Sequence, residues 1–264
     1  MPRHLDMGDH RLEYAWHGPP PGQAPTLLFL HEGLGSLSAW RDFPQRLAKA
    51  SGCGALVYSR RGYGASDHAP LPRSVRFMHE EALETLPRVL ERLGVEEAVL
   101  VGESDGASIA LIYAGSAAPG ARRVRGLLLE APHVFVEEVC LRSIAAASES
   151  FSRGDLKRSL ARHHAADVQA TFRGWSGVWL DPSFRGWNIE SFLPAIVAPV
   201  LAIQGEEDEY GTLRQVEAVA AGCGGYVELL VLPGCGHSPH RERPRRVLEA
   251  MARFLRVEAF AGRG

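Results

Sequence analysis

Lysine is nearly missing from this chain. Among 29 basic residues the only lysines are Lys49 and Lys157, the rest being arginine. The skew reads first as codon bias, and it restricts any lysine-based covalent mechanism to two candidates. Cysteine is scarce as well. Cys53, Cys140, Cys223 and Cys235 stand far apart with no CxxC pair, so neither a zinc knuckle nor a dithiol redox motif is suggested, and a reducing compartment fits. No charge of one sign dominates: a net charge of −2 offers no electrostatic footprint for nucleic acid or an anionic membrane. Nor does any apolar run approach the ~20 residues that cross a bilayer. The start, MPRHLDMGDHRLEYAW, lacks the apolar core of a signal peptide. The expectation is a cytoplasmic protein with neither nucleic acid nor membrane as partner.

What is present suits a large core, since 45% of the 264 residues are hydrophobic. Thr26–Leu30, Ala55–Tyr58, Ala98–Val101, Val124–Leu129, Val200–Ile203 and Val227–Leu232 read as strands. Most lack polar alternation, which predicts a sheet covered on both faces. Helical patterns fall between them at Ala39–Ala50, Val75–Leu93, Asp105–Ala118, Leu213–Ala221 and Arg245–Val257, with Pro87 expected to kink or break the second. This alternation predicts an α/β fold with a mostly parallel, doubly wound sheet. Residues 132–194 break the rhythm: helical and aromatic, they carry Phe172-Arg173-Gly174-Trp175 and again Phe184-Arg185-Gly186-Trp187. They are expected to form a helical lid inserted into a core made of residues 1–131 and 195–264. The terminal Ala261-Gly262-Arg263-Gly264 is expected to fray.

The strongest chemical signal follows the Ala98–Val101 run, where Gly102-Glu103-Ser104-Asp105-Gly106 leads into a helix. G-x-S-x-G between strand and helix places a serine on a tight, strained turn with its hydroxyl at the sheet edge. Serine needs a base and an orienting acid to act as a nucleophile. Downstream, one strand ends in Gln204-Gly205-Glu206-Glu207-Asp208-Glu209 and the next in Pro233-Gly234-Cys235-Gly236-His237-Ser238-Pro239-His240. Ser104, Asp208 and His237 are therefore the expected catalytic residues. Glu206, Glu207 and Glu209 compete with Asp208, and His240 with His237. A metal bound by the H-x-x-H pair lacks an evident third ligand, so no metal is expected.

With these residues in place the chain resembles the α/β-hydrolase superfamily over nearly its whole length. The family's His-Gly after the third strand is matched by His31-Glu32-Gly33-Leu34-Gly35-Ser36, and its R-G-x-G-x-S by Arg61-Gly62-Tyr63-Gly64-Ala65-Ser66-Asp67. The resemblance implies an oxyanion hole of backbone N–H groups from Asp105 and Gly33, with Leu34 as the fallback, and a bracing role for His31. Glu32 stands where the family usually has glycine. The elbow Ser104-Asp105-Gly106 is similar to that of valacyclovirase-type (biphenyl-hydrolase-like) enzymes, in which the acid helps recognise an α-amino group.

The expected activity is that of a serine hydrolase acting on an ester, thioester or related activated acyl bond of a small molecule, without cofactor. Glu32, Asp105, Trp175 and Trp179 are candidates for substrate contact. Trp175, Trp179 and Trp187 either line a substrate pocket or pack the lid's own small core, Asp105 has backbone or arginine bonding as its bland alternative, and Glu130 is expected on the same sheet edge. His163 and His164 are read as surface histidines. Alternatives are a carbon–carbon bond hydrolase of a ring-cleavage product, a lactonase or amidase, cofactor-free haloperoxidase-like chemistry, and a non-catalytic small-molecule-binding protein. The oligomeric state stays open, a homodimer included.

Overall fold

A computed structural model describes residues 2–165 and 167–259; the tail expected to fray lies outside them. Eight strands form one sheet: β1 Arg3–Asp6, β2 Arg11–His17, β3 Thr26–Leu30, β4 Gly54–Tyr58, β5 Ala98–Glu103, β6 Val124–Glu130, β7 Val200–Gly205 and β8 Val227–Leu232. Their order is β1-β2-β4-β3-β5-β6-β7-β8. The β1–β2 and β2–β4 pairs are antiparallel and every other pair is parallel. The six strands expected from apolar runs are present, some a residue or two longer. The amino-terminal hairpin was not foreseen.

Helices cover both faces. On one lie α1 Phe43–Ser51 and, late in the chain, Pro244–Phe254; their Phe43, Leu47, Val247, Met251 and Phe254 pack against Phe29, Val57, Val101 and Ile203 of the sheet. On the other are α2 Phe77–Glu80, α3 Leu86–Arg92 and α4 Asp105–Ala114, over Leu28, Leu100 and Leu129. Burial on both sides explains the near-continuous apolar strands. Pro87 neither breaks nor ends its helix. A π-helical stretch, Glu81–Thr85, joins α2 to α3 immediately before it, accommodating the ring and the missing N–H within one continuous helical run.

Residues 132–194, between β6 and β7, contain no named strand, only one isolated bridge from Phe135 to Asn188. They form α5 Glu138–Arg153, α6 Asp155–Leu160 and α7 Val168–Trp179, then 3₁₀ turns at Pro182–Gly186 and Glu190–Ala195. The Asp167 carboxylate caps α7 by accepting from the N–H groups of Gln169 and Ala170. After β7 come α8 Arg214–Gly222, α9 Pro239–Glu242 and α10, the Pro244–Phe254 helix named above. The segments that follow β3, β5, β6, β7 and β8 meet at the carboxyl ends of the parallel strands, where open α/β sheets bind ligands.

Candidate active site

Ser104 sits between β5 and α4 with φ 53° and ψ −121°, a conformation few non-glycine residues adopt. Its neighbours permit this turn. A Cβ at Gly106 would lie 2.0 Å from the Leu30 carbonyl oxygen, and one at Gly102 would lie 2.6 Å from the Ala107 nitrogen. The Ser104 N–H donates to Glu130 O at 2.9 Å, fastening the turn to β6.

His237 Nε2 lies 2.9 Å from Ser104 Oγ, and His237 Nδ1 lies 2.8 Å from each Asp208 oxygen. Asp208 also accepts from Gln204 Nε2 at 2.6 Å, Tyr210 N at 2.7 Å and Gly211 N at 3.2 Å. Burial works to raise the Asp208 carboxyl, but the His237 bond and charge, with the Tyr210 N–H, hold it below its ordinary value. Burial works against a charged His237, yet the bond to Asp208 and its charge, with Glu103 behind, raise the imidazole above its ordinary value. Of the four acids in the turn after β7, Asp208 alone meets His237. The three side chains form the geometry of a hydroxyl, a base and an orienting acid.

The loop after β3 is built around one carbonyl. Glu32 O accepts from His31 Nδ1 at 2.7 Å, Arg60 Nη2 at 2.9 Å and Gly35 N at 3.1 Å. His31 Nε2 in turn accepts from Arg60 N at 3.1 Å. Because the peptide is planar and trans, pinning that carbonyl aims the Gly33 N–H the opposite way. Glycine is required at Gly33 on steric grounds, since a Cβ would fall 2.1 Å from Trp175 Nε1. Among the described residues neither the Gly33 nor the Asp105 N–H has a protein acceptor. The N–H of Leu34, the fallback donor, likewise has no protein acceptor among the described residues, while its carbonyl accepts from His164 Nε2 at 2.9 Å.

A cavity of 310 Å³ opens over Ser104, and Glu32, Gly33, Asp105, Trp175, Trp179 and His237 all line it. Asp105 is 1% exposed. Its Oδ1 accepts from Trp179 Nε1 at 3.2 Å, whereas its Oδ2 is buried without a partner. Burial raises this carboxyl, opposed chiefly by the charge of Arg60 and then by the Trp179 bond. The expected tryptophans separate by position. Trp175 and Trp179 reach the cavity, while Trp187 stacks on Phe184 with ring centroids 5.4 Å apart. Glu32 pairs with Arg241 at 3.3 Å.

Several lining residues escaped sequence reasoning. His133, just past β6, packs edge-on against Trp179 and is kept neutral by burial, which with the nearby His237 lowers it to about 4. The Tyr210 ring lies 4.7 Å from that of His237. Cys140 and Ile144 come from α5. No spacing signals them, because they reach Ser104 only through the path of the inserted segment and of the loop after β7.

The reading of His163 and His164 as surface residues is wrong for His164, while His163 is half-buried. Both follow the end of α6 rather than lying in a helix. His164 is 5% exposed, bridging Gly64 N and Leu34 O, and His163 lines the cavity with Nδ1 2.9 Å from Ser38 Oγ. His240 points away from Ser104 toward Glu130, so the two histidines of H-x-x-H do not converge. Among the described residues no three His, Cys, Asp or Glu side chains gather as a metal site requires, and no helix is long and apolar enough to cross a membrane.

Comparison with known proteins agrees with this architecture. The model of the alpha/beta hydrolase family matches residues 27–250, and the chain belongs to that family. It is similar to the 2-succinyl-6-hydroxy-2,4-cyclohexadiene-1-carboxylate synthase of Salmonella paratyphi C, 26% identical across 92% of this chain and 99% of that one. Among solved structures, a hydrolase from Pseudomonas aeruginosa superposes with TM-score 0.73 at 22% identity, covering 96% of this chain and 98% of that chain. The enol-lactonase from Burkholderia xenovorans gives 0.74 at 20% identity, covering 96% and 100%. At such identities the solved structures speak for the fold alone.

Proposed function

We propose that this protein is a serine hydrolase that cleaves an ester, thioester or related activated acyl bond of a small molecule. The carrying observation is the contact chain from Ser104 Oγ through His237 to both oxygens of Asp208, at 2.9 and 2.8 Å. Ser104 Oγ attacks the carbonyl carbon as His237 Nε2 takes its proton. The oxygen that gains charge is held by the N–H groups of Gly33 and Asp105. His237 then returns the proton to the leaving group as the carbon–leaving-group bond breaks. Water, deprotonated by His237, releases the acyl group from Ser104.

Residues 132–194 act as a lid on this site, and Asp105, Trp175, Trp179 and Glu32 contact the substrate. The unpartnered Asp105 Oδ2 supports an acyl group carrying a hydrogen-bond donor or cation near its carbonyl, because an unmatched buried carboxylate oxygen is costly until such a group reaches it. This gives physical content to the likeness with the valacyclovirase-type elbow. The Salmonella relatives, named as synthases of a cyclohexadiene carboxylate, favour a second reading, carbon–carbon bond chemistry on the same serine and histidine.

Intact-mass measurement after incubation with a fluorophosphonate tests the main reading. One adduct on the wild type and none on Ser104→Ala is the expected result. A folded wild type that takes no adduct would sink the hydrolase and leave a small-molecule-binding protein. Product analysis with acyl esters against ring-cleavage diketones separates the two enzymatic readings.

A further inference from the structure

We infer that the rim of the cavity is an anion subsite, in which Arg41 and Arg162 hold a carboxylate or phosphate on the leaving group, at the end of the substrate remote from Asp105. The inference rests on the acyl-transfer reading of Ser104. Three guanidinium groups from distant parts of the chain line the cavity: Arg41 before α1, Arg162 after α6 and Arg241 in α9. The His163–Ser38 hydrogen bond ties the segment carrying Arg162 to the turn that ends at Arg41. His163 feels all three cations and Glu32; burial first, then these cations, lower its basicity.

The acids gather on Arg241 rather than on the other two cations. Glu32 pairs with Arg241, which also feels the charges of Glu103 and Glu130. Arg162 bonds only to Ser159 Oγ at 3.1 Å, and Arg41 has no acidic partner among the described residues. In a chain rich in arginine, one unpaired guanidinium on open surface means little. Two on the rim of the cavity that holds the reactive serine leave a positive field facing the ligand, and arginine is well shaped to fork onto carboxylate or phosphate.

Arg41 adds an independent sign. Its backbone sits at φ 54° and ψ −127°, nearly the conformation of Ser104. Its side chain is exposed, so packing of that side chain does not account for the strain. The surroundings maintain it. The Arg41 N–H is bonded to Ser38 O, and the preceding Trp40 ring is packed against Phe29, Phe43 and His240. Strain of this kind in a ligand-lining residue marks a group held in position for binding.

The test uses L-alanyl esters of glycolamide, glycolate and 2-hydroxyethyl phosphate, which differ in leaving-group charge. Both anionic esters should exceed the amide in kcat/KM by about tenfold or more, as expected for charge-assisted bonds. The preference should shrink with added salt. In the Arg41→Gln, Arg162→Gln double variant the anionic-to-neutral ratio should fall toward one. A greater gain for the phosphate ester assigns a phosphorylated leaving group, and a greater gain for glycolate a carboxylated one. Equal rates for all three esters, or a ratio that survives the double substitution, overturns the subsite. A second arm does not need turnover: fluorophosphonates ending in carboxylate or carboxamide are compared for their rate of attachment to Ser104. Equal rates again overturn the subsite, whereas no attachment of either overturns the hydrolase reading beneath it.

Discussion

Replacing His240 with glutamine removes a cation from between two buried glutamates. Glu103 and Glu130 pair in register at the ends of β5 and β6, both fully buried. His240 Nδ1 stands 3.1 Å from Glu130 Oε2 and 3.9 Å from Glu103 Oε2, and its ring packs against both Trp40 and Phe43. Burial and the charge of Arg241 work against the imidazolium, but the two carboxylates prevail and raise it to about 9. A folded-state value above the unfolded 6.5 means that the contribution to stability is complete below about pH 6.5. It is lost as pH climbs through about 9. That interval corresponds to about 3 kcal/mol. Urea unfolding of wild type and His240→Gln from pH 6 to pH 10 measures it. At pH 6 the variant, left with two buried carboxylates and no cation between them, should be less stable by about 3–5 kcal/mol. The gap should then narrow by about 3 kcal/mol toward pH 10, because wild-type His240 is itself neutral there. Ionisation of tyrosines and cysteines is common to both proteins and cancels in the difference. A gap that stays constant with pH would refute the claim that His240 is charged between these glutamates.

Other substitutions bear on the chemistry directly. Asp208→Asn should lower kcat by about 10⁴ through loss of the correct imidazole tautomer, while Glu207→Gln stays within a few-fold of wild type; the reverse order would move the acid to Glu207. In the wild type, kcat/KM should rise with pH through a midpoint above 6.5, since the raised His237 must lose its proton to act as base. In Asp208→Asn that midpoint should fall. Asp105→Asn should reduce kcat/KM for L-alanyl esters by about tenfold relative to acetyl esters, and equal losses on both series would return Asp105 to a purely structural role.

Much of this arrangement was legible because its signals are local. A strand buried on both faces must be apolar throughout, so β3 to β7 announce themselves, and a serine elbow needs small residues at fixed offsets, so Gly102 and Gly106 flank Ser104. The hairpin of β1 and β2 carries no such mark. Arg3–Asp6 is largely exposed, and β2 mixes Arg11, Glu13 and His17 with its apolar residues. Glu13 is buried and accepts from Ser59 Oγ at 2.7 Å and Ala65 N at 3.0 Å, partners some fifty residues away. His164 misled for the same reason: whether a polar side chain faces water depends on contacts far along the chain. The departure at Glu32 left the loop after β3 open in the sequence because its backbone is set by Arg60, which follows β4.

The inserted segment is bound to the site by a pattern that the sequence does contain, once the partners are known. Thr171, Trp175 and Trp179 are four residues apart on α7 and so share one face. Each meets a different loop at the carboxyl edge of the sheet. Thr171 Oγ1 donates to Gly62 O at 2.8 Å, Trp175 lies against Gly33, and Trp179 donates to Asp105 at 3.2 Å. The loops after β4, β3 and β5 are thereby held by one helix face. The two Phe-Arg-Gly-Trp strings then have different tasks: in the first, Trp175 stands over Gly33, and in the second, Phe184 and Trp187 pack beneath Trp179. That support sets the indole that bonds Asp105 Oδ1, leaving Oδ2 as the oxygen still to be matched. The setting of the Asp105 carboxylate thus depends on the aromatic packing of residues 132–194 as much as on the residues of the elbow.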